Sequence, residues 1–315
     1  MKVLVTGADG FVGRHLVRRL LADGHLVVGG SRPGARSDVA ADATLRGTRW
    51  VPFELTDPAS VAAAADQGPE AVVHLAAVSS NAEALEAPEA AWSVNAVGVV
   101  RLLGALAERR AAGAADPVVL LVSSAEVYGQ GAHRPRLESD PPAPLTPYAA
   151  SKAAAELAGL EAWRRTGLRV IIARPFQHTG PGQAPRFVLP AFVERLRAAR
   201  ASGIRTVPTG NLAPVRDFLD VRDVVTAYLL LLEHGAPGEI YNVARGEGVP
   251  LAELFARLAR SLGVEAEPVA DPALARRTDI PHLVGDSGRL RRATGWAPVH
   301  TLDDMLRDIA DAEAH

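Results

Sequence analysis

In residues 1–13, MKVLVTGADGFVG, a short apolar run leads into three glycines. A helical pattern of apolar residues follows at about 11–22. Gly7 permits a tight turn, Gly10 lets the backbone approach a pyrophosphate closely, and Gly13 lets the helix pack against the strand. The helix N-terminus adds free N–H groups and a partial positive charge. The segment therefore predicts a strand–turn–helix unit that binds the pyrophosphate of a dinucleotide.

The alternation of apolar runs and helical patterns continues through the first half of the chain. The runs are continuous rather than interleaved with polar residues, as in strands that are covered on both faces. This order predicts a parallel sheet with right-handed crossovers, a doubly wound, Rossmann-type α/β fold. Further strands are expected at 26–28, 71–75, 118–122 and 169–173, and further helices at about 59–66, 89–112 and 148–165.

A second, smaller lobe is expected because the sequence changes in character after residue 174. A helix is predicted at 187–199, and residues 250–315 read as mainly helical with Arg-rich loops. A helix at 224–233 and a strand at 239–243 read as additions to the first lobe. We expect a cofactor-binding Rossmann lobe of residues 1–174 with 214–245, and a substrate-binding lobe of residues 175–213 with 246–315.

Composition excludes several classes of function. The formal net charge of −2 gives no basic field for nucleic acid, and the absence of cysteine excludes disulfides and thiolate metal sites. No apolar run approaches about 18 residues, and no signal peptide is read before the first strand. We expect a cytoplasmic protein with no metal, membrane or nucleic-acid partner.

The end of the second predicted strand bears on the choice of cofactor. An acidic side chain there would favour NAD(H) by bonding the ribose 2′-hydroxyl, but the sequence reads Gly29-Gly30-Ser31-Arg32. A guanidinium suits a 2′-phosphate by its charge and by its bidentate geometry. The sequence therefore favours NADP(H) and leaves NAD(H) open, because Arg32 can also be a solvated loop charge.

Three residues, here called the catalytic trio, point to proton transfer at an oxygen. Tyr148 and Lys152 are one turn apart on one face of a predicted helix, and Ser124 follows the predicted strand 118–122. We predict that the Lys152 ammonium lowers the pKa of Tyr148, which then exchanges a proton with a carbonyl or alcohol while hydride moves to or from a nicotinamide. Ser124 would hydrogen-bond the same oxygen. The alternative for the Tyr148–Lys152 pair is an exposed helix face.

These motifs together resemble the extended short-chain dehydrogenase/reductases that act on nucleotide sugars. The resemblance is carried by the glycine loop, by His74-Leu75-Ala76-Ala77 and by the catalytic trio, and it covers nearly the whole chain. It implies that Asn95 is a structural helix residue and that the helices 89–112 and 148–165 pair in a homodimer. The residues expected at the cofactor are Gly7, Asp9, Gly10, Phe11, Val12, Gly13, Ser31, Arg32, Glu54, Leu55, Leu75, Ala76, Ala77, Ser123, Tyr148, Lys152 and Pro175.

Later segments resemble the GDP-6-deoxy-mannose branch of that family. They are residues 174–183, 210–212, 216–223 and 271–286. The resemblance implies that Arg216 and Arg276 contact the phosphates of a nucleotide-diphosphate sugar, with GDP as the favoured nucleotide. Gln177 stands where the branch usually has Asn, which leaves the substrate geometry less defined. The residues expected at the substrate are Ser124, Glu126, Gln177, Arg186, Asn211, Arg216 and Arg276.

Three reactions share this scaffold. The resemblance favours a 4-ketoreductase that reduces GDP-4-keto-6-deoxy-D-mannose with NADPH, with Tyr148 as the proton donor. A 4,6-dehydratase needs a further acid/base pair; Glu126 occupies the position of the dehydratase Glu, but Ala125 replaces the Asp of one dehydratase type. A 4-epimerase would hold NAD tightly, which Arg32 disfavours. A non-catalytic NADP-sensing protein would have no need of the catalytic trio.

Overall fold

A computed structural model describes residues 1–34, 42–274 and 279–312. Its helices are α1 (Phe11–Ala22), α2 (Pro58–Ala65), α3 (Asn81–Glu86), α4 (Pro88–Trp92), α5 (Gly98–Ala111), α6 (Pro147–Thr166), α7 (Val188–Ser202), α8 (Val221–His234), α9 (Leu251–Ser261), α10 (Gly288–Thr294) and α11 (Leu302–Asp311). A π-helical turn (Ser93–Val97) joins α4 to α5, and 3₁₀ turns cover Ala43–Leu45, Ala125–Tyr128 and Pro272–Leu274.

The strands of the main sheet are β1 (Lys2–Thr6), β2 (Leu26–Ser31), β3 (Arg49–Pro52), β4 (Ala71–His74), β5 (Val118–Val122), β6 (Arg169–Pro175) and β11 (Ile240–Val243). Smaller sheets contain β7 (Gln177–Thr179), β8 (Thr206–Thr209), β9 (Val215–Arg216), β10 (Phe218–Asp220), β12 (Val249–Pro250), β13 (Glu267–Ala270) and β14 (His282–Leu283).

The main sheet has seven parallel strands in the order β3-β2-β1-β4-β5-β6-β11. The chain reverses its direction across the sheet between β1 and β4, and open α/β sheets bind ligands at the carboxyl ends of the strands at such a switch point. The prediction of a doubly wound parallel sheet is confirmed.

Both faces of the sheet are covered, which explains the continuous apolar runs. Along β1, Val3 and Val5 pack into the layer of α1 and α8, whereas Leu4 packs into the layer of α2, α5 and α6. All three side chains are fully buried. Because successive side chains of a strand point to opposite faces, a strand between two helical layers must be apolar at every position.

The predicted helices agree with the observed ones to within a few residues, but strand β3 was not predicted. Its sequence, Arg-Trp-Val-Pro, pairs with β2 at the edge of the sheet and is only partly buried. An edge strand lacks the continuous apolar run by which the central strands were found. The predicted strand 239–243 is observed as β11, which pairs with β6.

A separate apolar core lies in the later part of the chain. It is formed by α7, α9 and α11, and the rings of Phe192 and Phe255 meet edge to face with centroids 5.3 Å apart. Strands β9, β12 and β14 form a small sheet of their own. The division into two lobes at the stated boundaries stays a prediction.

Within the described residues, one helical run has the length and apolar composition of a membrane span, Pro88–Ala111. Its residues Val99, Leu102 and Leu106 are buried against α2 and α6 in the core described above. Core helices of water-soluble proteins meet the same criteria of length and composition.

Candidate active site

The glycine loop between β1 and α1 has the geometry expected of a pyrophosphate site. Gly7 has a φ of +68°, a region that favours glycine, and a Cβ added at Gly13 would lie 2.2 Å from the Gly7 carbonyl oxygen. Gly10 is the N-cap of α1, and no side chain of the described residues caps that helix. Its first-turn N–H groups are thus available to an anion. These features fit a dinucleotide.

Beside this loop, β2 ends in a buried hydroxyl that lacks a partner. Ser31 is 2% exposed, and its Oγ bonds no other atom of the described residues. Buried polar groups are normally hydrogen-bonded, so this hydroxyl is suited to a ligand oxygen. Arg32 follows and is exposed to solvent. The pair lies where the sequence predicts contact with the adenosine ribose.

The cofactor residues predicted after β4 also border the glycine loop. The Ala76 N–H donates to the Thr6 hydroxyl over 3.2 Å, and a Cβ at Gly7 would lie 2.9 Å from the Ala76 nitrogen. Leu75 and Ala77 flank Ala76 and are half-buried. The backbone after β4 therefore forms one wall beside the predicted pyrophosphate site.

Other predicted cofactor residues have contacts within the protein. The Glu54 carboxylate accepts hydrogen bonds from the Thr56 N–H and hydroxyl over 3.1 and 2.9 Å, and Leu55 is buried in the apolar core. The Ser123 hydroxyl donates to Glu156. Pro175, the last residue of β6, is buried. Asp9, Phe11 and Val12 lie in or next to the glycine loop and are half-buried.

The structure brings the catalytic trio together at the carboxyl end of β5. Ser124 ends the loop after β5 and accepts from the Glu126 N–H over 3.2 Å, and its hydroxyl lies near enough to Tyr148 to lower the pKa of that phenol. Thr146 caps α6 by accepting from the Ala149 N–H over 3.2 Å, which places Tyr148 in the first turn and Lys152 one turn later. Lys152 is 6% exposed.

The electrostatics of the trio differ from the sequence prediction. Burial raises the pKa of Tyr148, the negative charge of Glu126 adds to this rise, and the neighbouring Ser124 hydroxyl opposes it. Burial also lowers the pKa of Lys152 to about 8, against the opposing effect of the Glu156 carboxylate. The Lys152 ammonium donates to the Val122 carbonyl over 2.7 Å. The predicted lowering of the Tyr148 pKa by Lys152 is therefore wrong, because burial dominates.

A buried ion pair lies one helical turn beyond Lys152. The Arg174 guanidinium grips the Glu156 carboxylate through Nε and Nη2, at 2.9 and 2.6 Å, and both side chains are almost fully buried. The guanidinium also lies over the Tyr128 ring, 4.7 Å from its centroid. Ser123 completes the set with its bond to Glu156. Glu156 raises the pKa of Lys152, so this ion pair affects the charge of one member of the catalytic trio.

A cleft opens at the start of α6, where Thr146 and Ala149 line it, and it contains several residues predicted to bind the substrate. Glu126 and Gln177 line it, and the Gln177 Oε1 is buried without a partner among the described residues. The cleft is lined by Asn81, Glu126, Leu145, Thr146, Ala149, Gln177, Arg216, Asp279, Ile280 and Leu283.

Two of the residues predicted to bind the substrate, Arg216 and Asn211, share one carboxylate. Arg216 Nη2 pairs with Asp279 Oδ1 at 2.7 Å, and Asn211 Nδ2 lies 3.4 Å from Asp279 Oδ2. Arg186, by contrast, is exposed, stacks its guanidinium on the Phe187 ring and does not line the cleft. Arg276 lies outside the described residues.

Sequence reasoning missed three polar residues of the cleft, Asn81, Thr146 and Asp279. Asn81 donates to Glu126 over 2.6 Å and accepts from Thr146 over 2.7 Å. Thr146 had a usable signal, because Thr-Pro before a helical pattern is typical of an N-cap with proline at the first helical position. Asn81 had none, because its partner Glu126 lies 45 residues away. Asp279 lies in the segment 271–286 that carries the resemblance, but nothing there marks Arg216, 63 residues away, as its partner.

Fold and site together define an oxidoreductase-type enzyme built to use a nicotinamide dinucleotide, with the Ser–Tyr–Lys arrangement of short-chain dehydrogenase/reductases. Residues 3–244 match the family described as NAD dependent epimerase/dehydratase family, and the chain belongs to it.

Individual relatives cover almost the whole chain. A GDP-6-deoxy-D-mannose reductase of Pseudomonas aeruginosa is 38% identical over 98% of this chain and 95% of its own. A UDP-glucose 4-epimerase of Mycolicibacterium smegmatis is 33% identical over 95% of this chain and 94% of its own. A solved structure of RMD from Pseudomonas aeruginosa, complexed with NADPH, superposes with a TM-score of 0.80 at 36% identity, covering 98% of this chain and 97% of that one.

Proposed function

We propose that the protein uses NADPH to reduce a nucleotide-linked 4-keto-6-deoxy sugar, with GDP-4-keto-6-deoxy-D-mannose as the favoured substrate and a GDP-6-deoxyhexose as the product. The observation that carries this proposal is the convergence of Ser124, Tyr148 and Lys152 at the carboxyl end of β5, next to a cleft lined by Glu126, Gln177 and Arg216. The similarity to the reductase of Pseudomonas aeruginosa supports the same choice. We place the reaction in the cytosol.

The residues of the site suit the direction of reduction. The raised pKa of Tyr148 keeps its hydroxyl protonated, so it can donate a proton to the substrate carbonyl oxygen. Ser124 would donate to the same oxygen and polarise it. Lys152, held by the Val122 carbonyl, would bind the hydroxyls of the nicotinamide ribose. The bound cofactor would supply the hydride.

The alternatives are a 4,6-dehydratase of the GDP-mannose or dTDP-glucose type and an NAD-dependent 4-epimerase. The relatives include a UDP-glucose 4-epimerase, so the family alone does not choose among them. A dehydratase needs a free acid/base pair near Tyr148, but Ala125 stands at one of the two positions and Asn81 binds the carboxylate at the other. These observations favour the reductase.

The test is the absorbance of NADPH with purified protein and GDP-4-keto-6-deoxy-D-mannose. We expect stoichiometric oxidation together with formation of a GDP-6-deoxyhexose. GDP-mannose and UDP-glucose without added cofactor serve as the comparison, because turnover of either would identify a dehydratase or an epimerase that retains its cofactor. No oxidation of NADPH with the keto sugar would contradict the proposal.

Arg32 is expected to select NADPH over NADH. It is exposed next to the unpartnered Ser31 hydroxyl, where a 2′-phosphate would lie. Because charge-assisted hydrogen bonds contribute about 1.5–3 kcal/mol, Arg32→Ala should raise the Kd for NADPH by about tenfold or more. Fluorescence titration with both cofactors measures this. Affinity for NADH is the control and should change little; an equal loss for both cofactors would contradict selection at the 2′ position.

We further propose that the protein is a homodimer formed through the outer faces of α4, α5 and α6. Trp92, Val97, Val100 and Leu157 are exposed there by 43%, 46%, 56% and 70%, an unusual set for a solvated face. Light scattering should give twice the 33.1 kDa chain mass, and Val100→Arg should reduce it to one chain. The matched control is Val299→Arg, at an apolar residue outside this face that is still more exposed than Val100. A wild-type monomer would contradict the proposal.

A further inference from the structure

Asn81 bridges the start of α6 and the Glu126 carboxylate. Its Nδ2 donates to Glu126 Oε2 over 2.6 Å, and its Oδ1 accepts from the Thr146 hydroxyl over 2.7 Å. The Thr146 oxygen already accepts from the Ala149 N–H, so its proton is free to be donated. A carboxylate, in turn, can only accept. The two contacts therefore fix which end of the amide faces Glu126.

This bridge determines which part of Glu126 is left for a substrate. Oε2 is occupied by the Asn81 N–H, while the carboxylate lines the cleft next to Gln177 and Arg216. Its negative charge also raises the pKa of Tyr148. The remaining oxygen can accept a hydrogen bond from a sugar hydroxyl, with the carboxylate held in one orientation by a charge-assisted bond.

A carboxylate that was free to turn in this position would be able to act as a base on the substrate. A carbon next to a ketone is acidic: a base can take its proton, the C–H bond breaks, and the electron pair moves to the carbonyl oxygen as an enolate. Return of a proton restores the ketone without net oxidation or reduction. The hydrogen on that carbon is then exchanged with solvent, and the configuration at the carbon can invert. Glu126 lines the cleft, and its negative charge acts on Tyr148, so its carboxylate is the candidate for that base.

We propose that Asn81 is a positioning residue that holds Glu126 as a hydrogen-bond acceptor for the sugar and restrains it from removing a proton next to the substrate ketone. The inference rests on the proposed keto-sugar substrate. It makes Asn81 a determinant of reaction type, because the same carboxylate without its amide partner would be free to turn and act as a base.

The experiment measures deuterium incorporation into GDP-4-keto-6-deoxy-D-mannose in D₂O by mass spectrometry, without NADPH, so that reduction does not compete. We expect wild-type protein to exchange the substrate little faster than buffer does. Asn81→Ala should accelerate exchange about tenfold, the effect of losing one charge-assisted bond. In the double variant Asn81→Ala/Glu126→Gln, exchange should return to the wild-type rate, since the base is gone.

Several outcomes would overturn the inference. Exchange in Asn81→Ala no faster than in wild type would show that the amide does not restrain the carboxylate. Fast exchange that persists in the double variant would assign the proton transfer to another group. An unchanged NADPH affinity of each variant, measured by fluorescence, confirms that the fold is intact. Wild-type oxidation of NADPH with the same sugar distinguishes the two proposals. If it is absent, the proposed function and this inference both fail. If it is present, the exchange result alone decides whether Asn81 restrains Glu126.

Discussion

Replacing Tyr148 with Phe should reduce kcat for NADPH oxidation by about 10³-fold, within the 10²–10⁴ range of a lost general acid. The substitution removes only the phenolic hydroxyl, and leaves the ring and the capped start of α6 in place. Because the raised pKa keeps this hydroxyl protonated, its loss leaves the carbonyl oxygen without its proton donor. Stopped-flow or steady-state absorbance measures the change.

The activity measured in this assay should also depend on pH through Lys152. Lys152 has its pKa lowered to about 8, so it is charged below that pH and loses its proton above it. We expect wild-type activity to fall as the pH rises through about 8.

The matched control for Tyr148→Phe is Tyr241→Phe in edge strand β11, whose hydroxyl accepts from the Ala236 N–H outside the cleft. Retention of more than a tenth of wild-type activity by Tyr148→Phe would contradict its assigned role.

Breaking the buried ion pair should have the largest effect on stability. Arg174→Met removes the guanidinium that grips Glu156 and leaves a carboxylate buried without its counter-charge. Loss of one partner of a buried pair costs about 3–5 kcal/mol of the free energy of unfolding. Urea denaturation followed by circular dichroism measures this cost.

Two comparisons isolate the cause. Arg165→Met breaks an exposed pair with Glu161 on α6 and should change the free energy of unfolding by less than about 1 kcal/mol. The double variant Arg174→Met/Glu156→Met should be more stable than Arg174→Met alone, because no uncompensated charge is left inside. Equal losses for Arg174→Met and Arg165→Met would contradict the account.

The sequence allowed prediction of whatever depends on local pattern. The glycine loop, the central strands and the Tyr148–Lys152 spacing are each encoded within about a dozen residues, and the structure has them where they were expected. The sign of the Tyr148 pKa shift was missed because burial is set by the assembled fold. Asn81 was missed because nothing near it in the chain marks Glu126 as its partner, and Asp279 was missed for the same reason.

The π-helical turn at Ser93–Val97 shifts the helical register, so it sets which side chains of the long helical segment face the core and which face outward. Asn95, 1% exposed, uses its amide to hold the Val78 backbone and the Ser151 hydroxyl of α6, while Val97 and Val100 face outward. Each residue of a helix turns about 100° around the axis. Deleting one residue of the turn would restore a regular helix and rotate the inner amide out of register with the outer apolar face. A change of length in this segment would therefore separate Asn95 from the Val78 backbone and the Ser151 hydroxyl, whereas a substitution on its outer face would leave these bonds in place.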